Sequence, residues 1–147
     1  MDSTVILQGG TNVFGGTGAA EAFLIGRLLF GLVLAFTGLN HFRSVEGMTG
    51  YAEAKGLPAP RFGVLFSGGM LVFGGLGVAA GVLPTLAAGA IALFALAAAV
   101  VFHDFWAVPE EQKQDELTQF LKNMTILGGA LVLLSLSSVP WPYSLGL

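Results

Sequence analysis

The chain has 147 residues, of which 54% are hydrophobic and only 10% charged, and its mean hydropathy is +0.80. Soluble domains carry about 25% charged residues, so a water-exposed surface is excluded, and a net charge of −3 leaves no basic footprint for nucleic acid. With no cysteine, disulfides, thiolate metal sites and thiol redox chemistry are excluded within this chain.

Residues 1–21 read as a flexible or surface-lying tail. Residues 1–20 have no Lys or Arg and are interrupted by Gly9-Gly10 and Gly15-Gly16, so they do not read as a secretory signal. The remainder, 22–147, reads as one transmembrane domain. A first span covers about 22–41, broken only by Arg27. In the loop that follows, Val45, Met48, Tyr51 and Ala52 fit either a short helix lying on the bilayer or an ordinary loop.

Residues 62–102 form a run of 41 without Asp, Glu, Lys, Arg or His. A span needs about 20 residues, so this run holds two, at about 61–81 and 84–105. Gly81 to Thr85 supplies the turn between them, with Pro84 suited to the first turn of the next helix. A fourth span runs from about 117 to 138, ahead of Pro140 and Pro142. The apolar runs do not alternate as barrel strands do. The expected fold is all-α, an integral membrane four-helix up-and-down transmembrane bundle. Trp106, Trp141 and Tyr143 sit at span ends, where interfacial anchors belong. Arg43, Lys55, Arg61 and Lys113 share one side, so the positive-inside rule places both termini outside the cell membrane.

Lipid provides no hydrophobic drive for helix association, so close packing depends on small residues. Stripes at alternating steps of three and four predict the seams. They are Arg27, Gly31, Leu34, Gly38, His41 in the first span and Gly63, Ser67, Met70, Gly74, Gly77, Gly81 in the second. The third has Thr85, Gly89, Ala92, Leu96, Ala99, His103, and the fourth Lys122, Thr125, Gly129. Ionisable groups in a membrane turn inward because facing lipid costs about 2.5–3.5 kcal/mol or more. On this reading Arg27, His41, His103 and Lys122 all point into the bundle.

Up-and-down threading brings Asn40, His41, His103, Asp104, Lys122 and Asn123 to one mouth. Arg27 is 14 residues from His41, roughly 21 Å of helix, and belongs nearer the other end. The mouth reads in two ways. As a structural plug, His103 and Asp104 bond Lys122 and Asn123. As a headgroup pocket, an imidazole, a carboxylate and an ammonium beneath an apolar cleft suit a quinone. A haem between His41 and His103 is the minor alternative, and no other metal site is predicted.

Several of these residues carry a family resemblance. They are Arg27 with Gly31 and Gly38, Gly56-Leu57-Pro58, the glycine-rich second span, and His103-Asp104-Phe105-Trp106. Phe120-Leu121-Lys122-Asn123, Gly128-Gly129 and Tyr143-Ser144-Leu145 follow. Over about 22–147 the chain resembles the DoxX family of small four-helix membrane proteins. The resemblance implies more fold than activity: the family includes members associated with thiosulfate:quinone oxidoreductase and with membrane oxidoreductase complexes. Many relatives place a Glu mid-way along the second span, where Met70 stands here, which argues against carboxylate chemistry at that point. The expectation is an accessory or quinone-interacting subunit of a membrane redox system, with membrane lipids, quinone, other redox subunits or a second copy as partners. Its rival is a non-catalytic membrane scaffold or lipid-binding module.

Overall fold

The computed structural model describes residues 13–146, so most of the N-terminal tail lies outside the described residues. The elements are α1 (Ala19–Arg43), α2 (Val45–Ala54), α3 (Pro60–Ala80), α4 (Pro84–Ala97), a π-helical turn (Ala98–Phe102) and α5 (Glu110–Ser135). No strand occurs among the described residues. Four stretches are long and apolar enough to cross a membrane: α1, α3, α4 continued through the π turn, and α5.

The helix ends follow local chemistry. Pro60 and Pro84 open α3 and α4, where their missing N–H costs nothing, and Gly81 closes α3 at φ 68°. Ala59 and Leu83, each just before a proline, are held at φ 51° and 46°, a left-handed conformation that costs about 1 kcal/mol for a residue with a Cβ. The segment between α1 and α3 is a helix, α2, with Ala52 inside and Glu46 and Glu53 exposed. α5 begins seven residues before the expected fourth span does. Its 26 residues measure roughly 39 Å, longer than the roughly 30 Å hydrocarbon layer. Its acidic first turn, Glu110 and Glu111, suits a helix N-terminus standing in water. Hydropathy marks the lipid-solvated part of a helix and is blind to a polar extension.

α1 and α3 run antiparallel in backbone contact. A Cβ added at Gly31 would stand 2.8 Å from Ala79 N, and one at Gly75 would stand 2.7 Å from Ala35 N. Further along, one at Gly38 would lie 2.7 Å from the Leu71 Cβ and one at Gly68 2.7 Å from the His41 Cβ. On the other flank of α3, Gly74 and Gly77 admit α4, with the Ala87 Cβ 2.7 Å from the place of a Cβ on Gly77. α4 then packs on α5. α1 meets α5 through a side chain: Phe30 reaches to 2.9 Å from where Gly129 would carry a Cβ. Leu34, Leu71, Val78, Ile91, Ala130, Leu133 and Trp141 fill the centre. Large apolar side chains such as Phe62, Phe73, Leu86 and Val132 are exposed, as lipid-facing positions should be.

The buried faces match the expected stripe in α1 and depart in part from the other three, where Gly74, Gly77, Ala92, Ala99 and Gly129 are buried or packed against a neighbouring helix. In α1 the stripe Arg27, Gly31, Leu34, Gly38 is the buried face, joined by Ala35. In α3 the face buried against α1 is Val64, Gly68, Leu71, Gly75 and Val78, one residue on from the expected row. Met70 instead lines an apolar groove of about 950 Å³ that also holds Gly69, Phe73, Gly77 and Leu86. In α4, Thr85 and Leu96 are exposed while Ala88, Ile91, Ala92 and Ala95 are buried. In α5, Lys122 and Thr125 are exposed and Asn123, Ala130 and Leu133 are buried. Helices with glycine and alanine on several sides contain more than one small-residue row, and only the neighbours decide which one is used.

The α1–α3 contact generates a stability prediction. Gly31→Leu and Gly75→Leu are expected to destabilise the detergent-solubilised protein by about 1–3 kcal/mol or more, the overpacking cost. Gly26→Leu meets nothing within 4 Å and is expected to leave the melting temperature unchanged or raised. Thermal unfolding followed by circular dichroism reads the contrast.

Candidate functional site

One mouth of the bundle collects the polar groups. There α1 ends, α2 lies across, the π turn leads out of α4, and α5 begins. A π turn widens the backbone and frequently marks a functional position. Here it brings the Phe102 carbonyl to face α2, where the Tyr51 hydroxyl donates to it at 2.9 Å and the two rings stack at 5.8 Å. One helical turn further, Lys55 donates to Asp104. Next to Asp104, His103 Nδ1 is 2.9 Å from Glu116 Oε2 on α5. All four charged or ionisable side chains of these two pairs are about a fifth exposed, 18–25%. Phe105, Trp106 and Phe120 pack edge to face beside them, with centroids 5.1–5.9 Å apart.

The local field follows from this pairing. The Lys55 hydrogen bond holds the Asp104 carboxyl below its usual range. Burial pulls the Lys55 ammonium down, but the Asp104 hydrogen bond and the charges of Tyr51, Asp104 and Glu116 outweigh it, and the net direction is up. Burial, aided by the Glu116 and Asp104 charges, raises the Tyr51 phenol against the opposing pull of Lys55. Each group is thus held in the protonation state its neighbour needs.

The expected pocket residues are distributed differently from the sequence expectation. His103 and Asp104 are at the mouth, but their partners are Glu116 and Lys55 rather than Asn123 and Lys122. Lys122 is exposed and donates to Gln119 on its own helix, a position from which a long side chain reaches water. Asn123 is buried, and its Nδ2 donates to the Gln119 carbonyl at 3.0 Å. His41 lies 3.3 Å from the Thr37 carbonyl and packs edge-on against Phe94 at 6.0 Å. Nine residues, roughly 13 Å at α-helical rise, separate Phe94 from His103. The ring neighbour of His41 is thus set back along the helix from His103. Among the described residues no group of three or more His, Asp or Glu side chains is arranged for a metal. Arg27 is at the opposite end, 2% exposed, donating to the Tyr143 carbonyl at 2.6 Å.

Tyr51, Lys55 and Glu116 had no place in the sequence-derived pocket. Tyr51 and Lys55 are four apart, one above the other on a helix, but that signal exists only if the loop is helical. Glu116 stands in a run of acids, Glu110, Glu111 and Asp115, and composition does not separate it from them.

Four apolar helices with charged side chains paired at one mouth define a multi-pass membrane protein of the small-bundle type. The family model described as DoxX matches residues 22–104, more than half of the 147 residues. The chain belongs to the DoxX family. The match ends at Asp104, so α5 and its Glu116 lie beyond it. No curated protein and no solved structure matches the chain.

The ion pair yields a pH prediction. A carboxyl with a depressed folded-state pKa stabilises the protein above its ordinary value, 3.8 for Asp104, and loses that contribution as the pH falls through the folded value. Lys55 has a raised pKa, so its contribution is present below its ordinary 10.5 and is lost as the pH rises through the folded value. Wild-type melting temperature is expected to fall below about pH 4 in part through this pair. Lys55→Met should be less stable than wild type near neutrality, and the gap should shrink on acidification. A gap independent of pH would show that the pair is not the cause.

Proposed function

We propose that this DoxX protein is an accessory, quinone-interacting subunit of a membrane redox system, with the His103 mouth as the headgroup site. The observation that carries the reading is the His103–Glu116 contact of 2.9 Å between partly buried side chains. A carboxylate oxygen accepts, so His103 Nδ1–H donates to Glu116, and in that tautomer Nε2 carries the lone pair. Nε2 has no protein partner among the described residues. It would accept a hydrogen bond from a quinol hydroxyl or, once protonated, donate to a quinone carbonyl. Phe105, Trp106 and Phe120 offer aromatic faces for the ring, and the lipid-facing flanks accommodate an isoprenoid tail. Electrons would pass to and from a partner redox subunit. The positive-inside rule applied to the basic residues of this end supports a mouth on the inner side of the cell membrane with both termini outside.

The complete pairing of Lys55 with Asp104 and of Tyr51 with the Phe102 carbonyl favours a second reading, a non-catalytic scaffold. In it these bonds only pin α2 to the end of α4.

Equilibrium dialysis of the purified, quinone-depleted protein against ubiquinone-1 separates the two. His103→Ala and Glu116→Gln are each expected to weaken binding about tenfold, the equivalent of one charge-assisted hydrogen bond. Lys122→Ala, on the outer face, should bind as wild type. Undiminished binding in both folded variants would remove the headgroup site and leave the scaffold.

A further inference from the structure

At the end of the bundle opposite the mouth, Arg27 has an unsolved partner problem. Its side chain is 2% exposed, and a guanidinium has five N–H donors in a rigid fork. Nη2 donates to the Tyr143 carbonyl at 2.6 Å. Nε and Nη1 are buried and have no acceptor among the described residues. Among the described residues no carboxylate meets the charge: Glu21, close by in sequence, instead accepts from the Tyr143 hydroxyl at 3.0 Å. Leaving buried donors unmade is costly, and leaving a buried charge unpaired is costlier. Sequence that only needed to pack α1 against α3 would not place Arg here, since Gly31 and Gly38 already do that.

The surroundings are built around the guanidinium. Phe23 and Trp141 flank it, with ring centroids 5.9 Å and 5.8 Å from Cζ. Gly81 makes room for Nη1, because a Cβ there would collide with it. A strap formed by residues 139–146 returns over the site. It is held by the Leu145 N–H to the Ala80 carbonyl at 2.9 Å, by the Arg27 bond, and by Tyr143 at a left-handed φ of 55°. Strain of that kind tends to sit at clamps and switch regions. Trp141 has a second role: with Phe14, Ala20, Val139 and Pro142 it lines a cavity of about 370 Å³. A cationic fork and a cavity of mixed polar and apolar lining therefore share one wall.

We propose that Arg27 is the anchor of an oxyanion-binding site closed by the C-terminal strap. Its ligand is a phosphate-type oxyanion, most simply the head of an anionic amphiphile whose tail occupies the cavity beside Trp141. The anion supplies the acceptors for Nε and Nη1 and neutralises the charge. The flanking rings hold the guanidinium plane while the strap excludes water. This site is separate from the His103 mouth and does not depend on the quinone reading.

The chain has two tryptophans, so Trp106→Phe leaves Trp141 as a reporter on the Arg27 side. That protein, in neutral detergent, is titrated with inorganic phosphate, with dihexanoyl phosphatidic acid, and with dihexanoylglycerol, which has the tails without the phosphate. A saturable fluorescence change with phosphatidic acid supports the site. If inorganic phosphate acts too, the free oxyanion suffices; if it does not, the lipid head is the ligand. Arg27→Lys keeps the charge but loses the fork, and is expected to raise the Kd at least about tenfold, with folding checked by circular dichroism. The proposal is overturned by no response to either phosphate probe, by dihexanoylglycerol binding as tightly as phosphatidic acid, or by an unchanged Kd in folded Arg27→Lys. Should Arg27→Lys not fold, Tyr143→Phe decides, since it removes only the phenol tying the strap to Glu21. Faster release of phosphatidic acid supports the site, and an unchanged release rate overturns it.

Discussion

The backbone contact between α1 and α3 is the constraint from which the rest follows. Helices in lipid gain nothing from hiding apolar surface from water, so they associate where backbones approach closely enough for dispersion to accumulate. Gly31 against Gly75 and Gly38 against Gly68 provide that approach. Once α1 and α3 are locked antiparallel, the start of α1 is beside the end of α3, and the end of α1 is beside the start of α3. Arg27 is thereby set against Gly81, and α2 is required to cross the opposite mouth. The turn at Gly81 to Pro84 then sends α4 back along α3, and Phe30 spans the wider gap to α5.

The two ends of the bundle treat charge in contrasting ways. At the mouth, Lys55 and His103 each have an acid beside them, Asp104 and Glu116, and all four retain some exposure. Water at the rim lowers the cost of such pairs, and the pairs in turn fasten α2 to the π turn and the π turn to α5. At the other end, Arg27 is buried more completely and has one carbonyl. Its aromatic neighbours attract a cation but accept none of its in-plane hydrogen bonds. The rim is thus satisfied within the chain, while the guanidinium at the other end is left with two buried nitrogens unpaired among the described residues.

Apolar length and turn residues alone determined the four spans, because a helix crossing lipid must satisfy its own backbone over about 20 residues. The Gly81–Pro84 reversal was legible for the same kind of reason: the left-handed position and the missing N–H are properties of those residues wherever they stand. The α1 seam could be read because Gly31 and Gly38 recur on the face that also carries Arg27 and Leu34. The seams of α3, α4 and α5 could be read only in part, at Gly74, Gly77, Ala92 and Gly129, because each helix has small residues on several faces and the chosen row depends on which neighbour arrives. The identity of the ion pairs was likewise a tertiary decision. The sequence offered Lys122 to Asp104; the rotation of α5 turned Lys122 outward, and the helical folding of α2 carried Lys55 inward. Span count and termination are local and so were written in the chain, whereas facing and pairing arise from the relative rotation of helices, a quantity that only their packing against one another sets.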